Sequence, residues 1–241
     1  MLEQTRRLFK LLADVLEYPS ADLAASVREC RQLLAETCSE AAQEMRTFAD
    51  FVEGESLGSL QEIYSRTFDV TPTTNMYVGY HLFGESYKRG AFLARLQEAF
   101  VAHRFSCGSE LPDHLCVLLR FASAADDPEF VTPLLEEAIL PALTKIEAAF
   151  QESRQGYALP IKALRLFLRR ALPGVSDTLP MQELTLPHPP GGHGGPPLRP
   201  EDWVGIPLST SAHATSPGTD DISHRAPNPH SASRIPHLEG L

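Results

Sequence analysis

The 241-residue chain has four cysteines, one tryptophan and no uninterrupted apolar run near the ~20 residues that a membrane-spanning helix requires. Small secreted domains use cysteine far more densely, so Cys30, Cys38, Cys107 and Cys116 are expected as free thiols of a reducing compartment. The opening MLEQTRRLFKLLADVLEYP alternates charge with leucine at helical spacing, unlike the apolar centre of an export signal. A cytoplasmic protein without membrane insertion is expected. Basic residues are also scarce, with 21 Lys and Arg against 31 Asp and Glu and a net charge of -10. Gripping phosphate backbones needs clustered Lys and Arg. The short runs Arg6-Arg7, Lys88-Arg89 and Arg169-Arg170 fall within helical patterns as solvated faces, so nucleic acid is not expected as a partner.

Catalytic signatures are missing too. There is no phosphate-binding glycine loop and no dinucleotide fingerprint, and no nucleophile elbow is expected. Cys107, His114 and Cys116 are metal-ligating residue types, but no paired Cys-x-x-Cys accompanies them, so neither a metal site nor a bound cofactor is expected. Cys116 and His114 stand two apart and would not face each other on a helix. The chain reads as a binding protein and not an enzyme. A small metal- or thiol-dependent enzyme built on those three residues is the competing reading.

What is present is helical periodicity. Leu8, Leu11, Leu12, Val15 and Leu16 step by three and four, and Tyr18-Pro19 ends the stripe. Ser20 suits the N-cap of a second helix carrying Leu23, Val27, Cys30 and Leu34 inward. Ala41, Met45, Phe48, Ala49 and Val52 make a third stripe. Ser56 can cap a fourth, with Leu57, Leu60, Ile63 and Tyr64 inward. A loop is expected over Val70 to Asn75. A long helix then runs from about Glu85 to Arg104 through Leu93, Leu96 and Phe100, and another from about Pro112 with Leu115, Leu118, Leu119 and Ala122 buried. Pro128 opens a stripe through Val131, Leu134, Leu135, Ala138, Ile139, Ala142 and Ile146, which Pro133 and Pro141 either kink or divide. A last helix spans about Leu159 to Leu172, burying Leu164 and Leu168. No stretch alternates with period two between hairpin turns. The fold class is therefore all-α: a single irregular helical bundle over 1–172.

Composition changes near Leu172. Thirteen of the 20 prolines lie between Pro173 and Pro236, and six of the nine histidines from His188 onward. Such a segment buries too little apolar surface to offset its ordering entropy, so 173–241 reads as a disordered Pro/Gly/His-rich tail.

Two polar clusters interrupt the helices. In the first, Glu110-Leu111-Pro112-Asp113-His114, Pro112 suits a first turn and Asp113 the positive end of a helix dipole. The same residues also read as an exposed polar cluster that meets a partner's backbone or basic side chains. In the second, His81-Leu82-Phe83-Gly84-Glu85-Ser86 is followed by Arg89-Gly90. Glu85 and Arg89 stand in the favourable order for an i,i+4 ion pair. Gly90 inside a helix costs about 1 kcal/mol against alanine, which points to close helix packing or a partner's approach. Tyr64, Phe68, Tyr77, Tyr80 and Phe83 surround this segment as core or interface aromatics.

The pieces LLADVLEYP, YSRTFDV, HLFGESYKRG, ELPDHL and ESRQGYALPIKAL occur in the order in which the NarJ family carries them, from about Leu11 to Leu164. The chain resembles that family, the assembly chaperones of respiratory nitrate reductase, within the redox enzyme maturation proteins that include TorD and DmsD. It departs from the family pattern at Phe83, where a second histidine is common, and at Cys116, where proline is. The resemblance implies an all-helical fold and a role in nitrate respiration and assimilation. It implies unfolded-protein binding in the cytoplasm: capture of the N-terminal segment of the apo catalytic (alpha) subunit, assistance to molybdenum cofactor insertion, and control of membrane docking. His81, Glu85, Arg89, Glu110, Pro112, Asp113 and His114 match the signature positions and become the candidate client-binding residues. An amphipathic client segment in a groove between helices, its basic residues meeting Glu110 and Asp113, is the expected mode. A stable structural subunit of the reductase is the other reading of the same resemblance.

Overall fold

Helix α1 (Glu3–Leu16) forms because its apolar residues fall on one stripe, and Leu8, Leu11, Leu12, Val15 and Leu16 are all buried together with Phe9 and Ala13. The computed structural model describes residues 3–70, 72–150 and 156–172. These lie within the compact unit Met1–His193, while the second unit, Gly194–Leu241, and the expected tail as a whole are outside the described residues. Among the described residues there are helices and one isolated antiparallel bridge, and no strand.

Helix α2 (Leu23–Thr37) buries Leu23, Val27, Cys30 and Leu34, as its spacing predicts. Its N-cap is Asp22 and not Ser20; the Ser20 hydroxyl accepts the Asp22 N–H at 3.3 Å, forming a turn just ahead of the helix. Helix α3 (Ser39–Gly54) buries all five predicted residues. Helix α4 (Leu57–Phe68) starts at Ser56, whose hydroxyl accepts the Ser59 N–H at 3.2 Å. Leu57, expected inward, is exposed in the first turn, while Phe68 is buried at the other end. Gly54-Glu55-Ser56-Leu57-Gly58 fits the pattern G-x-S-x-G, yet it joins two helices, and Ser56 is occupied as a cap. It is not the strand-to-helix elbow on which a nucleophile stands.

Helix α5 (Val78–Phe83) lies between the loop expected over Val70 to Asn75 and the helix expected from about Glu85, in a stretch to which no element was assigned. It has six residues, too few to display a stripe, and it stops at Gly84, whose φ of 62° suits glycine. Helix α6 (Tyr87–Ala102) buries Phe92, Leu96, Ala99 and Phe100; Leu93 is only half-buried. Helix α7 (Leu115–Ala124) begins three residues later than Pro112. Helix α8 (Pro128–Pro133), a π-helical turn (Leu134–Ile139) and helix α9 (Leu140–Ala149) follow without leaving helical backbone angles. Pro133 and Pro141 have no N–H for the carbonyls four residues back, and the wider turn lies between them. The stripe is thus one helical run with an insertion. Helix α10 (Ala158–Ala171) completes the bundle.

Helix α1 packs on α2, α7 and α10, α3 packs on α2 and α10, and α9 joins α10 to the short α5. Tyr157 is the largest fully buried side chain, and the rings of Phe48, Tyr64 and Phe68 stand 5.5, 5.2 and 5.6 Å from it. The Tyr64 hydroxyl donates to the Leu16 carbonyl at 3.3 Å, tying α4 to the end of α1. Replacing Ser56 by alanine is expected to lower unfolding free energy by about 1 kcal/mol, as loss of an N-cap does. Urea denaturation followed by circular dichroism checks this; an unchanged midpoint would show that the cap carries no stability.

Candidate functional site

Beyond α4 the chain crosses the approach to α7. Val78 N–H donates to the Asp113 carbonyl and Leu115 N–H to the Met76 carbonyl, each at 2.8 Å, pairing Tyr77 with His114 across two extended segments. Gly79 makes this approach possible. A Cβ there would stand 2.7 Å from Asp113 Oδ2 and 3.0 Å from Phe92 Cδ1. Gly90, predicted to mark close packing, has nothing within 4 Å of a Cβ. Of the two glycines it is Gly79 that the packing requires.

Asp113 has no exposed surface. Its carboxylate accepts Arg89 Nε at 2.8 Å and Nη2 at 3.3 Å, and the guanidinium carbon lies 5.5 and 5.9 Å from the ring centres of Tyr77 and Tyr80. A buried carboxylate needs such a forked partner, since an unpaired charge in the interior is strongly unfavourable. This corrects two expectations. Arg89 does not pair with Glu85, because α6 begins only at Tyr87 and Glu85 sits exposed in the preceding bend. Asp113 is not part of an exposed cluster; it precedes α7 and anchors the start of α6.

The other signature residues divide between support and surface. His81 is half-buried, with Nε2 2.9 Å from the Asn75 carbonyl, and its own carbonyl accepts Lys145 Nζ at 2.7 Å. Burial lowers its pKa below 6.5; the hydrogen bond to Asn75 opposes this and Lys145 adds to it. Pro112 is half-buried and Glu110 exposed. Glu110 Oε1 accepts the Tyr77 hydroxyl and the Leu111 N–H, both at 3.0 Å. Burial first, then this carboxylate, pushes the Tyr77 hydroxyl up to about 12.

His114 is 8% exposed, its ring 5.4 Å edge-on from that of Tyr77. Nδ1 is buried without a hydrogen-bond partner. Burial draws the imidazole below 6.5; Glu110, Glu17 and Asp113 act against that shift, and Arg120 acts with it. The ring borders a pocket of about 190 Å³ that Glu17, Tyr18, Tyr64, Phe68, Asp69, Met76, Tyr77 and Glu110 complete. Sequence reasoning did not single out Glu17, Tyr18 and Asp69 as site residues, although they lie in the pieces LLADVLEYP and YSRTFDV, because both pieces are far along the chain from the two polar clusters. It also overlooked Gly79, whose signal is one more glycine in the run VGYHLFG.

Cys116, in the first turn of α7, is wholly buried, and burial raises its thiol pKa far above the ordinary range. A thiol held protonated in this way is a poor nucleophile. Cys107 is half-buried, and among the described residues no three His, Cys, Asp or Glu side chains group as metal ligands.

Exchanging Asp113 for alanine strands the Arg89 guanidinium, and a loss of about 3–5 kcal/mol of stability is expected from urea unfolding. Arg89→Met/Asp113→Leu, which removes both charges, is expected to lose less; equal losses would contradict the pairing. Acid is expected to destabilise the protein through His81 and His114. The unfolded imidazoles protonate near 6.5 and the folded ones only at lower pH, so stability is full above about 6.5 and falls as the pH drops below it. Denaturation midpoints that stay constant between pH 7.5 and 5.5 would contradict this.

Residues 31–169, more than half of the chain and including both polar clusters, match the family described as nitrate reductase delta subunit. The chain is similar to the probable nitrate reductase molybdenum cofactor assembly chaperone NarJ of Bacillus subtilis (strain 168), 33% identical over 120 residues, 49% of this chain and 65% of that protein. It is 28% identical over 153 residues to the nitrate reductase molybdenum cofactor assembly chaperone NarJ of Escherichia coli (strain K12), covering 62% of this chain and 64% of that protein. The matches thus span a little under two thirds of these relatives' length. Among solved structures, a putative redox enzyme maturation protein from Archaeoglobus fulgidus aligns at 22% identity and a TM-score of 0.47, over 70% of this chain and 94% of that one. The chain belongs to the nitrate reductase delta subunit family.

Proposed function

We propose that this chain is a dedicated assembly chaperone and not an enzyme. It acts in the cytoplasm on the apo form of the catalytic (alpha) subunit of a respiratory nitrate reductase. It captures that subunit's N-terminal segment, keeps the subunit competent for molybdenum cofactor insertion, and delays its docking at the membrane. The observation that carries this reading is the match itself: two similar proteins are named molybdenum cofactor assembly chaperones, and the family match includes every signature residue from His81 to His114.

The geometry suits a binding protein. Tyr80 and Tyr87 are exposed, as is Glu85 between them, and the exposed Glu110 accepts the Tyr77 hydroxyl. No helix among the described residues is long and apolar enough to cross a membrane. Of the seven candidate residues, Arg89 and Asp113 hold the surface in place from beneath, and His81 braces it through Asn75 and Lys145. Glu85, Glu110, Pro112 and the pocket edge of His114 are left to face the client. The net charge of -10 favours a basic client segment and makes its capture weaken with salt.

A pull-down on the full chain from cells making the reductase is expected to recover the apo catalytic subunit and little of the finished enzyme. The family's description as a delta subunit favours a second reading, a permanent subunit. Recovery of the chain at equal stoichiometry in the purified membrane complex would establish that reading and overturn the chaperone. Titration with a peptide from the client's N-terminus is expected to weaken about twofold to fivefold in Glu110→Ala, as loss of one exposed ion pair implies. Unchanged affinity in this folded variant would remove Glu110 from the surface.

A further inference from the structure

Helix α6 is committed on one face and open on the other. Phe92, Leu96, Ala99 and Phe100 are buried, with the Phe92 ring 5.7 Å from that of Phe83 in α5 and the Phe100 ring 4.8 Å from that of Phe121 in α7. The opposite face carries Tyr87, Gly90, Ala91, Ala94, Glu98 and Val101, which step by three and four and so form a second stripe. A surface helix ordinarily turns charged side chains outward. Here Glu98 is the one charge in the stripe, and the large apolar side chains at its ends, Tyr87 and Val101, are 80% and 69% exposed.

Gly90 is an independent sign that something lies on this face. Glycine is unfavourable inside a helix unless a neighbour comes too close for a side chain. Gly79 has such a neighbour within the chain, whereas nothing lies within 4 Å of a Cβ at Gly90. No contact among the described residues therefore accounts for it. Together with Ala91 and Ala94 it leaves a low track on which the backbone of another helix can lie close.

The charges decide what that helix is. Lys88 and Glu98 border the same edge of the stripe, toward its opposite ends, and both are exposed. Among the described residues Lys88 has no ion-pair partner. Glu98 holds Arg95 at 2.9 Å, yet 54% of its side chain remains exposed. A second α6, turned end to end about a two-fold axis at Ala94, brings the partner's Glu98 to Lys88 and the partner's Lys88 to Glu98. The same rotation lays Tyr87 on the partner's Val101 at each end, ~10 Å from the axis, while the small residues cross at the centre. An interface between identical chains must be self-complementary in this manner, and the antiparallel helix dipoles favour it.

We propose that the outward face of α6 seats a second copy of this chain, the two helices packing antiparallel about Ala94. A single helix pair buries less than the ~1,200 Å² of a standard interface, so the dimer is weak and forms and parts with concentration. This inference does not rest on the chaperone reading.

Sedimentation equilibrium of the full chain over a wide range of concentration tests it. The average mass is expected to rise from that of one chain toward that of two. Ala94→Arg, which sets two cations against each other at the axis, is expected to hold the protein at the mass of one chain while its circular dichroism stays unchanged. Lys88→Glu and Glu98→Lys place like charges at both contacts, and each is expected to weaken the dimer about tenfold. Mixing these two variants in equal amounts restores opposite charges at both contacts, so the mixture is expected to associate as the unaltered chain does. A chain that stays single at every concentration leaves the face to another occupant, its own tail or a client, and overturns the proposal. So does a dimer that Ala94→Arg leaves intact, or a mixture of the charge variants that fails to recover.

Discussion

The forked pair between Arg89 and Asp113 is the interaction on which this region of the molecule depends. A carboxylate with no exposed surface is tolerable only because a guanidinium meets both of its oxygens. The pair needs Gly79 to bring α5 against Asp113, and it needs Tyr77 and Tyr80 to cover the cation. It binds three otherwise separate pieces: the loop into α5, the first turn of α6 and the approach to α7. Once these are joined, Tyr77 lies opposite His114 and Glu110 reaches the Tyr77 hydroxyl. The acidic pocket is a consequence of that arrangement.

Seen this way, the signature residues do two kinds of work. Arg89, Asp113 and His81 are spent on holding backbone, which explains why they are half-buried or wholly buried and committed to partners within the chain. Glu110 belongs to both groups, since it braces Tyr77 and remains exposed. On the proposed chaperone role, this inner clasp would set the shape and the exposed rim would meet the partner. Burial also changes what His114 can contribute. With its pKa drawn below 6.5 it is neutral at physiological pH, an acceptor and not a competing cation.

Much of the bundle was legible because it obeys one rule. Helices α1, α2, α3 and α10 each bury the stripe that their spacing marks, and the run through Pro133 and Pro141 kept its stripe despite two missing N–H donors. The site was harder to read because it obeys long-range rules. Asp113 stands where a helix-dipole acid is expected, while its true partner lies 24 residues earlier, and no local pattern reports that distance. Arg89 had a plausible partner four residues away in Glu85, but the bend before α6 removes it. Helix α5 was too short to show a period. Glu17 and Asp69 reach the pocket only because α1 and α4 end beside each other, which the Tyr64 hydroxyl bond to Leu16 secures.

The central claim is that a client segment lies over the rim that this clasp supports. Hydrogen–deuterium exchange of the full chain, with and without the apo catalytic subunit, tests it most directly. The account expects new protection at residues 17–18, 64–70 and 110–114, around the pocket and the start of α7. Protection confined to α2 and α3, with the rim unchanged, would contradict it.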